Sequence, residues 1–201
     1  MSDHTSLFDP NRFQRLNDPQ RLQSEVSEHD LARLLELRGH EDALDLGSGT
    51  GFYTDRIAAL TTGTVYAVEL QPEMHEHYRE RGVPANVRLI LGDITALPLP
   101  PAVAEVAFEP ASVDVACSIV TWHETGDKLD LSALARILRP QGKLIVIDWR
   151  KDPESWESGP PEDIRFRKEE VAGALAAYFP RTQTENLGRF MFAVVARRGK
   201  N

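Results

Sequence analysis

The sequence contains little cysteine and no long apolar run, and each shortage excludes a class of protein. A single cysteine among 201 residues, Cys117, cannot form an internal disulfide or a thiolate cluster, which fits a reducing compartment. No apolar run approaches the roughly 18 residues that a membrane span needs, and residues 1–10 have neither a basic start nor an apolar signal core. We therefore expect a cytoplasmic protein with no membrane partner.

Basic residues are fewer than acidic ones, which limits the kinds of molecule that the protein can bind. The chain has 23 Lys and Arg against 31 Asp and Glu, a net charge of −8, so a polyanion is repelled at long range. Nucleic acid is thereby disfavoured. With 41% hydrophobic and 27% charged residues, the composition is that of a globular protein, and we expect one domain over 1–201, as a monomer or a homodimer. Residues 1–26 are expected to form an N-terminal arm that could fold over the ligand site.

Alternating apolar strands and amphipathic helices predict an α/β fold. The run 144–147 is apolar without polar alternation, which is typical of a strand covered on both faces, so the sheet is expected to be parallel and doubly wound. The last two strands are joined by residues 186–189, too few for a crossover helix, and should form an antiparallel hairpin. Residues 94–111, with four prolines, are expected to be an irregular connection that lines a site. The predicted strands are 43–46, 64–70, 86–91, 113–120, 144–147, 182–187 and 190–197, and the predicted helices are 28–38, 52–60, 72–82, 127–138 and 168–178.

A glycine-rich loop follows the first strand and opens a helix. Gly47, Gly49 and Gly51 bring backbone N–H groups, unscreened by Cβ atoms, to a ligand at the helix N-terminus. The dinucleotide fingerprint needs glycine at the sixth position, which here is Phe52. The loop is Gly-x-Gly-x-Gly instead.

Acidic residues stand at the ends of the next two strands. Glu69 ends the second strand, where its carboxylate can accept hydrogen bonds from both ribose hydroxyls of a nucleoside, and Leu70 would then face the adenine. Asp93 follows the third strand, where a carboxylate can accept from an adenine amino group. Three consecutive strand ends are thus expected to meet around one nucleoside.

These motifs, in this order and spacing, resemble those of the class I S-adenosylmethionine-dependent methyltransferases, especially small members related to the ubiquinone and menaquinone biosynthesis type. The resemblance rests on Leu44-Asp45-Leu46-Gly47-Ser48-Gly49-Thr50-Gly51, Val68-Glu69-Leu70, Gly92-Asp93-Ile94, Ser112-Val113-Asp114-Val115 and Ala135-Arg136-Ile137-Leu138-Arg139-Pro140-Gln141-Gly142-Lys143-Leu144. It implies a Rossmann-like, doubly wound, seven-stranded sheet, mostly parallel with an antiparallel last strand and with helices on both faces. It also implies S-adenosylmethionine as cofactor and S-adenosylhomocysteine as product. The implied cofactor-binding residues are Asp45, Gly47, Ser48, Gly49, Gly51, Glu69, Leu70, Asp93, Ile94 and Ser118.

The candidate catalytic residues follow the fourth strand, because open α/β sheets bind ligands beyond the carboxyl ends of their strands. His123 could remove a proton from a nucleophile, and Glu124 is its neighbour. In an extended segment adjacent side chains point oppositely, so only one of the two is expected to face the pocket. Residues 148–151 and 159–163 resemble segments that border the acceptor pocket in small relatives, with no chemistry assigned. The charges of 165–170 are expected to be a solvated helix start.

The sequence thus predicts methyl transfer to a small-molecule acceptor, through oxygen, carbon or nitrogen, without a metal ion. Trp122, Trp149 and Trp156 could either stack on that acceptor or cap the core. Two other functions stay open. A non-catalytic S-adenosylmethionine-binding regulatory protein would keep the same cofactor residues, and an NAD(P)-dependent oxidoreductase would also use a glycine turn, although the glycine spacing and the terminal hairpin oppose it.

Overall fold

A computed structural model describes residues 10–97, 108–152, 155 and 157–200. Most of the proline-rich connection, the first nine residues of the arm and Trp156 lie outside these ranges, so the expectations for them have no structural counterpart here. The predicted site residues all lie within them.

The chain forms one seven-stranded sheet in the order β3-β2-β1-β4-β5-β7-β6. Strands β1 to β5 pair in parallel, and β7 is antiparallel to both of its neighbours, β5 and β6. The mostly parallel sheet with the terminal hairpin is therefore confirmed. The strands are β1 (Ala43–Leu46), β2 (Val65–Glu69), β3 (Val87–Leu91), β4 (Val113–Ile119), β5 (Leu138–Trp149), β6 (Arg181–Leu187) and β7 (Met191–Arg197).

Helices connect the parallel strands, and local signals fix several of their starts. Ser27 caps one helix by accepting the backbone N–H of Asp30 at 3.0 Å, and Pro72 begins another, where a missing N–H costs nothing. The α-helices are α1 (Arg21–Ser24), α2 (Glu28–Leu35), α3 (Phe52–Ala59), α4 (Pro72–Arg81), α5 (Trp122–Thr125), α6 (Leu131–Ile137) and α7 (Lys168–Ala176). Among the described residues, 3₁₀ helices cover Pro10–Asn17, Ile94–Ala96, Gly126–Lys128 and Glu162–Ile164.

The sheet is buried on both faces, as the apolar run in β5 predicts. Leu144 and Val146 pack into one apolar cluster, while Ile145 and Ile147 pack into the other. All four are at most 1% exposed. Because successive strand residues point to opposite faces, this split is direct evidence of a doubly wound sheet.

Several segments differ from the sequence prediction, among them β5, which begins at Leu138 and not at 144. The helix expected over 127–138 begins only at Leu131, because the Asp130 side chain accepts the Ala133 N–H at 2.8 Å and fixes the start there. The extended conformation expected at residues 123 and 124 was wrong, since Trp122–Thr125 forms the helical turn α5. Val120, with φ 57°, is in the left-handed region just before it.

No helix within the described ranges has the length and apolar character that crossing a bilayer requires. The same residues contain no group of three or more His, Cys, Asp or Glu side chains arranged to hold a metal ion.

Candidate active site

The three loop glycines adopt left-handed backbone conformations, and each does so in a different environment. A Cβ on Gly47 would lie 2.4 Å from Cγ2 of Thr121, and one on Gly51 would lie 2.2 Å from the ring of Tyr78. At Gly49 a Cβ would meet only Leu16, at 3.7 Å, so this glycine borders open space. Gly47 and Gly51 therefore permit close packing of the protein on itself, and Gly49 leaves room for a ligand.

Glu69 joins the ends of three strands. Its Oε2 accepts the N–H of Gly49 at 2.9 Å, and its Oε1 accepts the N–H of Gln71 at 2.9 Å. Its carbonyl accepts the N–H of Gly92, after β3, at 2.8 Å. Burial raises the pKa of Glu69 above its ordinary value in spite of the N–H donors. A carboxylate offers about four acceptor positions, so these two N–H groups leave capacity for ligand hydroxyls.

Asp45, at the end of β1, is 2% exposed. Its Oδ2 accepts from Thr54 Oγ1 at 2.6 Å, and its Oδ1 lies 3.7 Å from Sγ of Cys117. Burial raises its pKa to about 6, and the charge of Glu69 adds to the shift. Two carboxylates thus lie close together beneath the glycine loop. This concentrates negative charge where a cationic group would be stabilised.

The residues expected at the adenine lie at the ends of β2 and β3. Leu70 is 45% exposed, unusual for a leucine that follows a core strand, while Ile94 is buried. Asp93 Oδ1 accepts from both the N–H and the hydroxyl of Thr95, at 2.8 and 2.7 Å. Asp93 therefore acts as the cap of the short helix that follows it, a role that is compatible with a ligand contact through its other oxygen.

Two buried hydroxyl groups at this edge lack a protein partner. Ser48 Oγ, in the glycine loop, and Ser118 Oγ, in β4, are enclosed and form no hydrogen bond within the described protein. Buried polar atoms are normally paired, so these two hydroxyl groups have hydrogen-bonding capacity to offer a polar ligand. Together with the open space at Gly49 and the acidic Glu69, they fit the polar groups and the positive sulfur of S-adenosylmethionine.

The described part of the N-terminal arm lies across the glycine loop. Asn17 Oδ1 accepts from the hydroxyl of Thr50 at 2.9 Å, and the ring of Phe13 stacks on His77 with centroids 3.5 Å apart. Arg21 donates to the carbonyl of Leu16 at 2.6 Å and holds the end of the arm in place. Leu16 is thereby kept beside the open space at Gly49.

His123 is held by a carboxylate that sequence reasoning left unassigned. Its ring Nδ1 lies 2.9 Å from Oδ1 of Asp148, at the end of β5, and its side chain is 9% exposed. Burial by itself lowers the pKa of His123, but the charge and hydrogen bond of Asp148 outweigh it and raise the pKa above the ordinary value. The sequence carries no local signal of this pair, since the two residues meet only through the pairing of β4 with β5.

Glu124 lies on the other side of the ring. Its Oε1 is 3.9 Å from Nε2 of His123. Burial raises the pKa of Glu124 to about 7, with His123 lowering it and Glu69 raising it in turn. Because α5 is helical, the extended conformation on which the expectation for these two residues rested does not hold, and which of them faces the acceptor stays a prediction.

Arg165 was expected to be solvated and is instead 3% exposed. Its guanidinium donates to the carbonyls of Pro160 and Ser155 at 2.8 Å each, and it lies 5.7 Å from the ring centroid of Trp149. It therefore fastens the segment after β5 to the helical segment before α7. Trp122 and Trp149 are both in the core, at 1% and 6% exposed.

A cavity of about 510 Å³ opens between this segment and the N-terminal arm. It is lined by Arg15, Arg165 and residues 157–162, with mostly polar groups. Arg15 directly precedes Leu16, which borders Gly49, so the cavity adjoins the arm that covers the glycine loop.

Comparison with known proteins supports this geometry. Residues 44–146 match the model of a methyltransferase domain family. A crystal structure of a SAM-dependent methyltransferase from Aquifex aeolicus is 28% identical and superposes with a TM-score of 0.80, covering 95% of this chain and 99% of that one.

Two curated relatives match over a smaller region. An uncharacterised methyltransferase-like protein of Schizosaccharomyces pombe is 32% identical over 56% of this chain and 40% of its own length. The ubiquinone/menaquinone biosynthesis C-methyltransferase of Citrobacter koseri is 29% identical over 57% of this chain and 45% of its own. The chain spans less than half the length of these relatives.

The family match covers the carboxyl ends of β1 to β4 and reaches the middle of β5. The strand order, the terminal hairpin and the Aquifex superposition agree with it. The chain therefore belongs to this methyltransferase domain family, as a class I S-adenosylmethionine-dependent methyltransferase.

Proposed function

We propose that the protein transfers the methyl group of S-adenosylmethionine to a small-molecule acceptor. The observation that supports this most is the meeting of the glycine loop, Glu69 and the His123–Glu124 pair at one edge of the sheet. Thr121, the residue directly before α5, donates to the Gly47 carbonyl at 3.4 Å, which supports one shared region for the candidate catalytic and cofactor groups. The bound cofactor supplies an activated methyl group on a sulfonium, which leaves the protein chiefly the task of placement.

The cofactor is held, in this proposal, by residues from three strand ends. Glu69 takes the ribose hydroxyls, and Asp45 with the loop glycines lies nearest the positive sulfur. The hydroxyls of Ser48 and Ser118 supply the hydrogen bonds that they do not make within the protein. Leu70, Asp93 and Ile94 surround the adenine.

The acceptor enters, we propose, through the polar cavity between the arm and residues 157–162. A net charge of −8 disfavours nucleic acid, and a cavity of about 510 Å³ has the size of a small-molecule pocket. The Citrobacter relative is named as a C-methyltransferase, but this chain spans 45% of it, so its acceptor is not carried over.

The test is a labelled-methyl transfer screen with S-adenosylmethionine and fractionated metabolite extracts. We expect label in a compound of low molecular mass, and no label when Gly49→Ala replaces the wild type. Tight binding of the cofactor together with no transfer to any fraction would instead favour the non-catalytic regulatory protein.

Two further points belong to the proposal. The buried, unpaired thiol of Cys117 suits the reducing cytoplasm, where we place the protein. We also expect a monomer or a homodimer, which light scattering coupled to size-exclusion chromatography distinguishes.

A further inference from the structure

Asp148 is a buried carboxylate to which the proposed function has so far given no part. It is 2% exposed and stands at the end of β5. Its Oδ2 accepts the backbone N–H of His123 at 3.0 Å, and its Oδ1 accepts the backbone N–H of Trp149 at 2.7 Å. Oδ1 also lies 2.9 Å from Nδ1 of His123. One carboxylate thus holds both the backbone and the ring of a single histidine.

This arrangement fixes the tautomer of the ring. An ionised carboxylate only accepts hydrogen bonds, so Nδ1 of His123 must carry a proton toward Asp148. In the neutral imidazole the lone pair is then on Nε2. Because Asp148 also accepts the backbone N–H of His123, the carboxylate and the backbone that carries the ring are held in one relative position.

The other ring nitrogen lies beside a second acid, because Nε2 is 3.9 Å from Oε1 of Glu124. The charged groups that act on the ring are Asp148 at Nδ1, Glu124 at Nε2 and the more distant Arg165. The negative charges of the two carboxylates favour protonation of the imidazole, and the positive charge of Arg165 opposes it in part.

We propose that Asp148 is the positioning residue of a general-base pair, in which His123 takes the proton of an acceptor hydroxyl group. This inference rests on the proposed function and names its acceptor class. A neutral amine attacks with its own lone pair and releases a proton afterwards, whereas a hydroxyl group is a poor nucleophile until its proton is being removed. A buried base of this kind therefore serves an acceptor whose hydroxyl group must lose its proton, and we assign the transfer to that oxygen.

In the proposed step, the hydroxyl oxygen forms the new bond to the methyl carbon, and its proton goes to Nε2 of His123. The carbon–sulfur bond breaks, and its electron pair stays on sulfur, which becomes a neutral thioether. Asp148 stabilises the imidazolium that results, and the proton later passes to solvent.

The first test needs no acceptor. In ¹⁵N-labelled protein, the His123 ring shifts should report a protonated Nδ1 and a lone pair on Nε2, with titration above the value of about 6.5 for a free imidazole. In Asp148→Asn, the titration midpoint of the His123 ring should fall by about one pH unit or more. A wild-type ring that carries its proton on Nε2 would overturn the proposal even if the variant failed to fold.

The second test uses the acceptor found in the labelled-methyl screen. Asp148→Asn should lower kcat by about 10²–10⁴-fold, with little change in KM, and the acid limb of the pH profile should move to lower pH. The matched control is Asp152→Asn, an acid four residues on that binds Arg150 at 2.7 Å, and it should leave kcat and the profile unchanged. A product methylated on nitrogen, or an unshifted acid limb, would contradict the proposal.

These tests separate two failures. If the screen finds no acceptor, the proposed function fails, while the ring titration still tests whether Asp148 positions His123. If methyl transfer occurs but His123 titrates as a free imidazole, the function stands and the positioning role does not.

Discussion

Alanine substitutions at Gly49 and Gly51 should affect different properties of the protein. Gly49→Ala should weaken cofactor binding, whereas Gly51→Ala should lower stability. At Gly51, φ is +84° and a Cβ would lie 2.2 Å from the ring of Tyr78, which is itself fully buried. A left-handed alanine costs about 1–2 kcal/mol. Forcing a methyl group into a packed ring costs about 1–3 kcal/mol more. Gly51→Ala should therefore lower the free energy of unfolding by about 2–5 kcal/mol.

At Gly49, φ is +54° and the nearest atom, Cδ1 of Leu16, is 3.7 Å from the Cβ position, an ordinary contact. Gly49→Ala should therefore cost only the backbone term of about 1–2 kcal/mol. Its methyl group, however, occupies the space that we assign to the cofactor. Binding of S-adenosylhomocysteine should weaken at least about tenfold, a change of about 1.4 kcal/mol.

Gly188 supplies the control. It has the same φ of +54°, in the hairpin between β6 and β7, and a Cβ there meets nothing within 4 Å. Gly188→Ala should match Gly49→Ala in stability and match the wild type in binding. Urea unfolding measures the stability, and calorimetric titration measures the binding. The reasoning is refuted if Gly49→Ala binds like Gly188→Ala, or if Gly51→Ala is no less stable than either.

Three further predictions concern charged groups outside the loop. Lys143→Met should lower the free energy of unfolding by about 1–3 kcal/mol in thermal and urea denaturation, because the buried ammonium donates to the carbonyl of Leu34 at 2.7 Å. Hydrogen bonds to Lys143 and to Arg197 lower the pKa of Glu36 to about 2 from 4.5, so the stability that Glu36 contributes is present above pH 4.5 and is lost as the pH falls toward 2. The stability gap between wild type and Glu36→Gln should accordingly shrink over that range in urea titrations, and a constant gap would contradict the assignment. Arg165→Met should loosen the segment that its guanidinium fastens, and limited proteolysis should cut within residues 150–160 faster than in the wild type.

The sheet could be predicted from the sequence because its signals are local. The run 144–147 is apolar on both faces, and the four residues 186–189 leave no room for a crossover, so strand direction follows from composition and loop length. Glu69 and the glycine loop could be placed together for a similar reason, since parallel strands end at one edge of a sheet.

The errors arose where distant segments determine the conformation. Arg165 stands among charged residues and looks solvated, yet it is buried because the carbonyls of the segment after β5 converge on it. The helical turn at His123 follows a left-handed Val120, a conformation that a β-branched residue does not predict. Asp148 has no motif of its own, and only the pairing of β4 with β5 brings it to His123.

The central claim, that the ends of the parallel strands gather around one cofactor molecule at Glu69, is tested most directly by calorimetric titration with S-adenosylhomocysteine. We expect the wild type to bind in the micromolar range and Glu69→Ala to bind more weakly by about 1–3 kcal/mol, because paired polar groups of the ligand lose their acceptor. Glu185→Ala, at an exposed acid on β6 that pairs with Arg33, should bind like the wild type. Absence of binding to the wild type, or equal binding by the Glu69 and Glu185 variants, would contradict the account.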